Sequence, residues 1–277
     1  MKEYSFFILG HKGMLGKMAL FYFSKKGYKT LVTDHRFDET NYSQIIKEVI
    51  DSKAHFVINC IGKIKQKSED LSQLIWANAI LPLELINKLD PKKQILIQPS
   101  TDCVFSGKKQ NPYLTEDISD ATDDYGWSKR LGEVAVLNKE NALLIRVSII
   151  GLDNSIEPKG LLGWFLNNQK GANLNGYQNH FWNGITTYEW CYQVEKLLSS
   201  KDSVYGKVIQ LGTVEYYSKF EMLDLFKKCF KTDFNIAPVE HIEKIDRRLK
   251  PDIISKKLED QLLQLVAIQE EWNLKSR

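Results

Sequence analysis

The sequence lacks any apolar run of the roughly 18 to 20 residues that a membrane-spanning helix needs. Of its 277 residues, 43% are hydrophobic and 26% are charged, which is the balance of a globular protein. The first strand-like segment, at 4–9, is too short and too rich in β-forming residues for a signal peptide. We therefore expect a cytoplasmic protein that is not inserted in a membrane.

Cysteine is scarce. The chain has four cysteines, far apart in sequence, with no CxxC pair and no cysteine and histidine at the spacing of metal ligands. This pattern predicts reduced, partly buried thiols and no metal site. The four are Cys60, Cys103, Cys191 and Cys229.

The chain also carries little excess charge, with a formal net charge of +3. Its lysines form only short clusters, and no sustained basic face is interleaved with aromatic residues. We therefore expect no binding of nucleic acid. The clustered lysines are Lys63, Lys65, Lys67, Lys108 and Lys109.

Short β-branched and aromatic runs alternate with helical stretches along the chain. This alternation predicts βαβ units, and the continuous apolar character of the strands suits a parallel sheet covered on both faces. The predicted strands lie near 4–9, 29–33, 55–60, 94–99, 142–148 and 207–211. The predicted helices lie near 14–26, 41–52, 68–89, 124–139, 186–198, 219–230 and 256–271.

The predicted fold class is α/β, a Rossmann-type doubly wound parallel sheet with a smaller α/β substrate-binding lobe. Residues 1–150 are expected to form the dinucleotide-binding domain, completed by the strand near 207–211 returning to the sheet edge. Residues 151–277 are expected to form mainly the lobe. Leucines at helical spacing in the last helix favour a packed or oligomeric face.

A glycine-rich turn follows the first strand and opens directly onto a helix. Glycines let the backbone approach a pyrophosphate closely, and the helix N-terminus offers it N–H groups and a positive dipole end. The strand–turn–helix context is the one that dinucleotide binding requires. The expected cofactor-binding residues of the turn are Gly10, Lys12, Gly13, Met14, Leu15 and Gly16.

Residues after the second and third strands are placed to contact the adenosine half of the cofactor. Asp34 closes the predicted second strand, about twenty residues beyond the glycines, and can accept hydrogen bonds from ribose hydroxyls, which favours NAD. Arg36 or Lys12 could instead pair with a 2′-phosphate, so the choice between NAD and NADP stays open. Small residues at 60–62 would let the backbone approach the cofactor. They are Cys60, Ile61 and Gly62.

The spacing Tyr-x-x-x-Lys occurs three times, as Tyr22/Lys26, Tyr125/Lys129 and Tyr192/Lys196. Only Tyr125 begins a helix between the fourth and fifth strands, near the strand ends where α/β sheets bind ligands. Lys129, one turn along, could favour the phenolate of Tyr125. The hydroxyl of Thr101, after the fourth strand, could hold a carbonyl oxygen. Thr101, Tyr125 and Lys129 are therefore the catalytic candidates.

These residues, taken together, resemble the extended short-chain dehydrogenase/reductases, and within them the dTDP-4-dehydrorhamnose reductase family. The motifs occur in the family's order and spacing over about the first 150 residues. They are Gly10-x-x-Gly13-x-x-Gly16, Ser100-Thr101-Asp102-Cys103-Val104-Phe105-Ser106-Gly107, Tyr125-Gly126-Trp127-Ser128-Lys129, Leu131-Gly132-Glu133 and Leu144-Ile145-Arg146-Val147-Ser148.

The resemblance implies reduction of the keto group of a nucleotide-linked 4-keto-6-deoxy sugar by NADH or NADPH, in cell-surface polysaccharide biosynthesis. Tyr125 would protonate the carbonyl oxygen, Lys129 would also hold the nicotinamide ribose, and Asn78 would support the active site and its proton path from behind. Asn78, Tyr125 and Lys129 are all counted among the expected cofactor-binding residues. A homodimer is a further possibility. Expected substrate-binding residues are Thr101, Asp102, Val104, Phe105 and Trp182; an aromatic at Trp182 could stack on the ligand or be buried in the lobe's own core.

Departures from the family pattern leave the substrate open. Cys103 and Ser106 stand where Tyr and Asp are common, and Ile149-Ile150-Gly151 replaces a segment that often carries an aromatic. One alternative is a nucleotide-sugar epimerase or dehydratase of the same fold, although no extra acid–base pair is assignable. Another is a non-catalytic, dinucleotide-binding regulatory subunit.

Overall fold

A computed structural model describes residues 3–64, 70–155, 157–158, 160–200 and 204–275. Lys65, Lys67 and the first residues of the helix predicted near 68–89 lie outside these ranges. Within the described residues, no helix is both long enough and apolar enough to cross a membrane, and no three histidine, cysteine or acidic side chains are grouped as metal ligands would be.

The strands agree with the predicted positions to within a few residues in the sheet and are more numerous in the lobe. In chain order they are β1 (Ser5–Leu9), β2 (Lys29–Leu31), β3 (Phe56–Asn59), β4 (Ile95–Ser100), β5 (Ala142–Arg146), β6 (Ile149–Ile150), β7 (Asn173–Tyr177), β8 (His180–Trp182), β9 (Ile185–Thr186), β10 (Val208–Gly212), β11 (Tyr217–Ser218), β12 (Asn235–Val239), β13 (Ile245–Asp246) and β14 (Ile253–Ile254).

The helices follow the prediction closely, apart from one interruption and the short helix Leu161–Leu166, which was not predicted. The helix predicted near 68–89 is two α-helical pieces joined by a π-helical turn, Trp76–Ile80. The helices are α1 (Met14–Lys25), α2 (Tyr42–Asp51), α3 (Leu71–Ile75), α4 (Leu81–Lys88), α5 (Asp124–Val136), α6 (Leu161–Leu166), α7 (Thr187–Ser199), α8 (Lys219–Phe230) and α9 (Leu258–Lys275).

The central sheet has seven parallel strands in the order β14-β10-β5-β4-β3-β1-β2. The predicted doubly wound α/β fold is therefore confirmed. The strand order reverses between β1 and β3, and ligands bind at such a switch point in open α/β sheets. The strand expected near 207–211 does return to this sheet, beside β5, but it is not the outermost strand, because Leu211 pairs with Ile253 of β14 beyond it.

Alternate residues of the strands supply two separate cores. Phe6 and Ile8 of β1 point to one core, whereas Phe7 and Leu9 point to the other. Successive side chains of a strand lie on opposite faces, so a sheet buried on both faces needs continuous apolar runs. The first core also contains Leu258, Leu262 and Leu265 of α9, which accounts for the leucine spacing in that helix.

The smaller strands pair with one another outside the central sheet. β7 pairs with β12, β8 pairs with both β11 and β13, and β6 pairs with β9. Helix α8 packs against β7 and β12, whereas α7 packs against α1 of the nucleotide-binding half. The segment 151–277 thus contributes helices to both halves of the molecule.

A buried ion pair joins helix α5 to the sheet. Glu133 accepts two hydrogen bonds from Arg146, at 3.0 and 2.9 Å, and one from Ser100 Oγ at 2.6 Å. Arg130 also donates to Glu133, at 2.9 Å. Arg146 donates further to Gln210 Oε1, at 3.0 Å, so the network spans β4, β5, β10 and α5.

We predict that Arg146→Met lowers the free energy of unfolding by about 3 to 5 kcal/mol, because it leaves the buried carboxylate of Glu133 without its main partner. Arg130→Met is the matched control. Arg130 bonds the same carboxylate but is 31% exposed, so we expect a loss below about 1 kcal/mol. Urea unfolding followed by fluorescence measures both, and equal losses would contradict this account.

Candidate active site

Two of the three glycines in the glycine-rich turn are required by close packing, and the third borders open space. Gly10 has φ +71°, and a Cβ there would lie 2.8 Å from the carbonyl carbon of Cys60. A Cβ on Gly16 would lie 2.1 Å from the oxygen of Gly10. A Cβ on Gly13 would meet only that same oxygen, at 3.4 Å. Gly10 and Gly16 are therefore required by packing, whereas Gly13 borders open space of the kind that a pyrophosphate would fill.

Helix α1 begins directly after Gly13, and its first turn faces the later part of the chain. The sulfur of Met14 lies 3.2 Å from the position of a Cβ on Gly160, and Lys17 Nζ donates to Asn154 Oδ1 at 2.5 Å. Leu15 packs against the core, while Lys12 is exposed. Asn154 and Gly160 thus lie beside the helix N-terminus, where backbone N–H groups have no partner within the helix.

Asp34 and Arg36, two of the side chains expected to contact the adenosine ribose or its phosphate, are both exposed. Strand β2 ends at Leu31, so Asp34 lies three residues beyond it rather than closing it. Burial and the charge of Lys12 lower the pKa of His11, while the carboxylate of Asp34 raises it, which places Asp34 close to the glycine turn. The backbone oxygen of Arg36 accepts from Asn41 Nδ2 at 2.5 Å.

Asn78 lies in the π-helical turn and connects three segments. Its side chain bonds both backbone groups of Lys63, at 3.0 and 2.9 Å, and Ser128 Oγ of α5 at 2.9 Å. The backbone oxygen of Asn78 would lie 2.0 Å from a Cβ on Gly132, so α5 approaches it closely. Asn78 therefore fixes the chain beyond Gly62 against the helix that carries Tyr125.

Thr101 and Tyr125 are brought together by the start of α5. The Asp123 side chain caps the helix by accepting from Gly126 N at 2.7 Å. A Cβ on Gly126 would lie 2.2 Å from the oxygen of Cys103, so the helix start abuts the segment after β4. Thr101 thereby comes to lie beside Tyr125, where its hydroxyl lowers the pKa of the phenol.

The electrostatics differ from the expectation that Lys129 favours the phenolate. Burial raises the pKa of Tyr125 well above its usual range, with a further contribution from Cys103. Burial lowers the pKa of Lys129 to about 8, against the opposing effects of Glu133 and Cys60. Lys129 Nζ donates to the oxygen of Pro99, at 2.8 Å. Burial is the largest influence on both groups, and Tyr125 keeps its proton at neutral pH.

The other two tyrosine–lysine pairs have different surroundings. Tyr22 donates to Glu195 at 2.7 Å, and burial followed by that bond raises its pKa beyond the usual range. Lys196 lies over the ring of Tyr192, 5.7 Å from its centroid. Both pairs lie on α1 and α7, which pack against each other, whereas Tyr125 lies beside the hydroxyl of Thr101, which follows β4. That proximity singles out Tyr125.

The side chains that were expected to bind the substrate are all buried. Val104 and Phe105 have no exposed surface, and Phe105 stacks on Tyr113 with 4.1 Å between ring centroids. Their side chains therefore cannot contact a ligand in this structure, because the turn at 102–104 directs them inward. Asp102 and Trp182 are each 8% exposed, and Trp182 belongs to the lobe's side of the first core.

Arg247 enters the site from the segment after β13. Its Nε donates to the oxygen of Phe105 at 2.9 Å, and its Nη1 lies 3.7 Å from Cys103 Sγ. Together with Lys108 and Lys244 it lines a cavity of about 460 Å³. Sequence reasoning missed this cluster, because Arg247 follows a two-residue strand more than a hundred residues from the segment it contacts.

The fold and the site define the class first: a Rossmann-fold protein with the threonine, tyrosine and lysine arrangement of the short-chain dehydrogenase/reductases. Residues 4–170 match the sequence profile described as the RmlD substrate binding domain. That match covers more than half of the chain, and the chain belongs to this family.

The chain is also similar to three individual proteins. The chain is 26% identical over 257 residues to methionine adenosyltransferase 2 subunit beta of Mus musculus, covering 86% of this chain and 74% of that one. It is 31% identical over 146 residues to dTDP-4-dehydrorhamnose reductase of Mycolicibacterium smegmatis, covering 51% and 44%. The fold matches dTDP-4-dehydrorhamnose reductase of Bacillus anthracis in complex with NADP, with a TM-score of 0.81, 18% identity and coverage of 96% and 99%. The chain thus spans less than half of the M. smegmatis reductase that it matches.

We predict that Gly13→Ala weakens binding of NADH or NADPH at least about tenfold, because its methyl group enters the space left for phosphate. The melting temperature should stay within about 2 °C, since only one atom lies near that methyl group. Gly16→Ala should instead lower the melting temperature by several degrees. Fluorescence titration and thermal unfolding test this pair, and a Gly13→Ala variant with unchanged affinity would contradict it.

Proposed function

We propose that this protein reduces the keto group of a nucleotide-linked 4-keto-6-deoxy sugar, with NADH or NADPH as hydride donor, in cell-surface polysaccharide biosynthesis in the cytoplasm. The observation that carries the proposal is the meeting of Thr101, Tyr125 and Lys129 at the carboxyl edge of the sheet, next to the glycine turn at the switch point. Family membership and the names of the related reductases support it.

The residues of the turn fit a dinucleotide, because Gly13 leaves room and α1 presents its N-terminus there. When bound, the reduced nicotinamide supplies a hydride to the carbonyl carbon. Tyr125 donates its proton to the carbonyl oxygen as charge develops on it. Its raised pKa keeps that proton available, and Thr101 lowers the cost of the phenolate that remains by hydrogen bonding to it.

The basic cavity suits the anionic part of such a substrate. Three cationic side chains line this cavity, those of Lys108, Lys244 and Arg247, together with one carboxylate, that of Glu243. Arg247 connects this cavity to the catalytic segment through its bond to Phe105. A diphosphate bound there would hold the attached sugar near Tyr125.

The choice between NAD and NADP depends on the exposed groups near the glycine turn. Asp34 favours the ribose hydroxyls of NAD, whereas Arg36 and Lys12 favour a 2′-phosphate. Both cofactors therefore stay in the proposal.

A regulatory subunit is the second candidate. The similarity to the mouse beta subunit extends over 257 residues, whereas that to the M. smegmatis reductase ends after 146. The intact Thr101, Tyr125 and Lys129 favour catalysis. Turnover separates the two functions, because a regulatory subunit would bind the dinucleotide without oxidising it in the presence of any keto-sugar nucleotide.

We predict that the wild-type protein oxidises NADH or NADPH with a dTDP- or UDP-linked 4-keto-6-deoxy sugar, and that Tyr125→Phe lowers kcat by at least about a thousandfold, since it removes the proton donor. Absorbance at 340 nm measures the rate. Tyr192→Phe is the matched control and should keep full activity. Cofactor affinity should be unchanged in both variants, and surviving activity in Tyr125→Phe would assign the acid elsewhere.

A homodimer is also part of the proposal. Trp127, Leu131 and Val134 form an apolar stripe on α5, at 54%, 49% and 56% exposure. Their spacing places them on one face of the helix, where a second copy could cover them. Leu131→Arg should then shift the protein to monomer in sedimentation velocity. Ile242→Arg, at an exposed position in the lobe, should not, and a monomeric wild-type protein would overturn the dimer.

A further inference from the structure

A smaller cavity lies apart from the candidate active site, between helices α1, α7 and α9. Its volume is about 220 Å³, and neither the glycine turn nor Thr101, Tyr125 or Lys129 lines it. Tyr22 of α1 and Tyr188 of α7 both line it, with their ring centroids 5.1 Å apart. This volume lies below the roughly 300 to 1,000 Å³ of pockets for drug-sized ligands, so the cavity suits a smaller molecule.

Glu189 lines this cavity because another side chain takes its usual structural role. It is the third residue after Thr186, the N-cap of α7, a position from which a glutamate often bonds back to the N-cap N–H. In α8, Glu221 does so, accepting from Ser218 N at 2.6 Å. In α7 the corresponding N–H of Thr186 donates to Gln261 Oε1 instead, at 2.8 Å. The carboxylate of Glu189 is therefore left beside the cavity.

The carboxylate of Glu189 is buried, and one of its oxygens lacks a partner among the described residues. The residue is 4% exposed, and Gln193 Nε2 donates to its Oε1 at 2.8 Å. Within the described part of the chain, no second donor bonds this carboxylate and no cation pairs with it. Burying a carboxylate without a cation is costly, and the N-terminus of α7 offsets only part of that cost. A cationic donor in the cavity would supply the missing partner of Oε2.

Lys256 brings a positive charge to the same cavity. Its Nζ lies 5.2 Å from the centroid of the Tyr192 ring, and no acidic side chain of the described residues pairs with it. The neighbouring Lys257, by contrast, is paired with Glu215 at 3.6 Å. Gln261 Nε2 donates to the oxygen of Lys256 at 2.7 Å, and so holds this segment against the start of α7. An unpaired lysine and a buried carboxylate without a cation therefore line one cavity, on segments joined by the same glutamine.

We propose that this cavity is a binding site for a free α-amino acid. The ammonium group of the ligand donates to Glu189 Oε2, its carboxylate pairs with Lys256 Nζ, and its side chain lies against the ring of Tyr188. The inference goes beyond the proposed reductase function and does not depend on it, because the two sites share no lining residue.

The charges around the cavity favour a zwitterion over a ligand of one sign. A simple anion would meet the buried carboxylate of Glu189, whereas a simple cation would meet Lys256. Lys26, which also lines the cavity, is already paired, since its Nζ lies 4.0 Å from Glu195 Oε2. Asp260 is exposed, so solvent and salt screen its charge. A molecule that carries both an ammonium and a carboxylate group therefore satisfies Glu189 and Lys256 together.

The test titrates the wild-type protein with each common amino acid in turn, by isothermal titration calorimetry. At least one should bind with a Kd below about 1 mM. Its N-acetyl derivative and its carboxamide should each bind at least about tenfold more weakly, because each has lost one of the two charges. If no amino acid binds, or if the blocked derivatives bind equally well, the proposal is overturned.

Two variants and two matched controls test the residues. Glu189→Gln should weaken binding of that amino acid at least about tenfold, and Lys256→Met about threefold, since Lys256 is exposed. Glu221→Gln and Lys196→Met should leave the affinity within about twofold. Glu221 holds the same helix position in α8, and Lys196 Nζ lies 5.7 Å from the centroid of the same Tyr192 ring, but neither lines the cavity. Equal losses in variants and controls would contradict the site.

Comparing ligands between variants separates a lost contact from a damaged fold. Glu189→Gln should bind the amino acid and its N-acetyl derivative within about twofold of each other, because the partner of the ammonium group is gone. Lys256→Met should lose the preference over the carboxamide but keep the preference over the N-acetyl derivative. Its melting temperature should stay within about 2 °C of wild type, so this variant decides the question even if Glu189→Gln unfolds. Preferences that survive in both variants would overturn the proposal.

Discussion

The site depends on the buried ion pair between Glu133 and Arg146. Both side chains are almost completely enclosed, and Glu133 also accepts from Ser100, the residue before Thr101. Replacing such a pair by apolar residues often costs nothing in stability, so its value here lies in geometry. Because the carboxylate stands one turn beyond Lys129, the pair fixes the depth and rotation of α5 against β4 and β5. Gln210 extends the same network to the backbone of Tyr113 and Lys250, and the ring of Tyr113 stacks on Phe105.

Much of the fold could be predicted because its signals are local. Strand β1 is a continuous apolar run, and its alternate side chains supply a core on either face. The starts of helices also carry local signals. Asp123 and Ser218 each precede a helix, and their side chains accept hydrogen bonds from backbone N–H groups of its first turn. The short strands of the lobe could not be predicted in this way. β13 and β14 have two residues each, and their pairing depends on partners distant in sequence.

The placement of Thr101, Tyr125 and Lys129 also followed from order along the chain, since Thr101 follows β4 directly and the other two begin the helix between β4 and β5. Their protonation states did not follow. The spacing of Tyr125 and Lys129 indicates a charge pair, but both groups are buried, and desolvation disfavours the charged form of each. Arg247 shows the complementary difficulty: an isolated arginine late in the sequence carries no signal until the fold brings it to Cys103 and Phe105.

Burial of this kind suits an acid more than a base. A tyrosine whose pKa lay near neutrality would be partly ionised before the substrate arrived and would have no proton to give. Here burial raises the pKa of Tyr125, so the phenol keeps its proton, and the hydroxyl of Thr101 beside it donates to Asp102 at 3.0 Å. The low-polarity surroundings that raise this pKa also strengthen any hydrogen bond that forms to a charged oxygen in the site. The buried site therefore leaves Tyr125 carrying its proton when a carbonyl group arrives, which is the state that the proposed reduction requires.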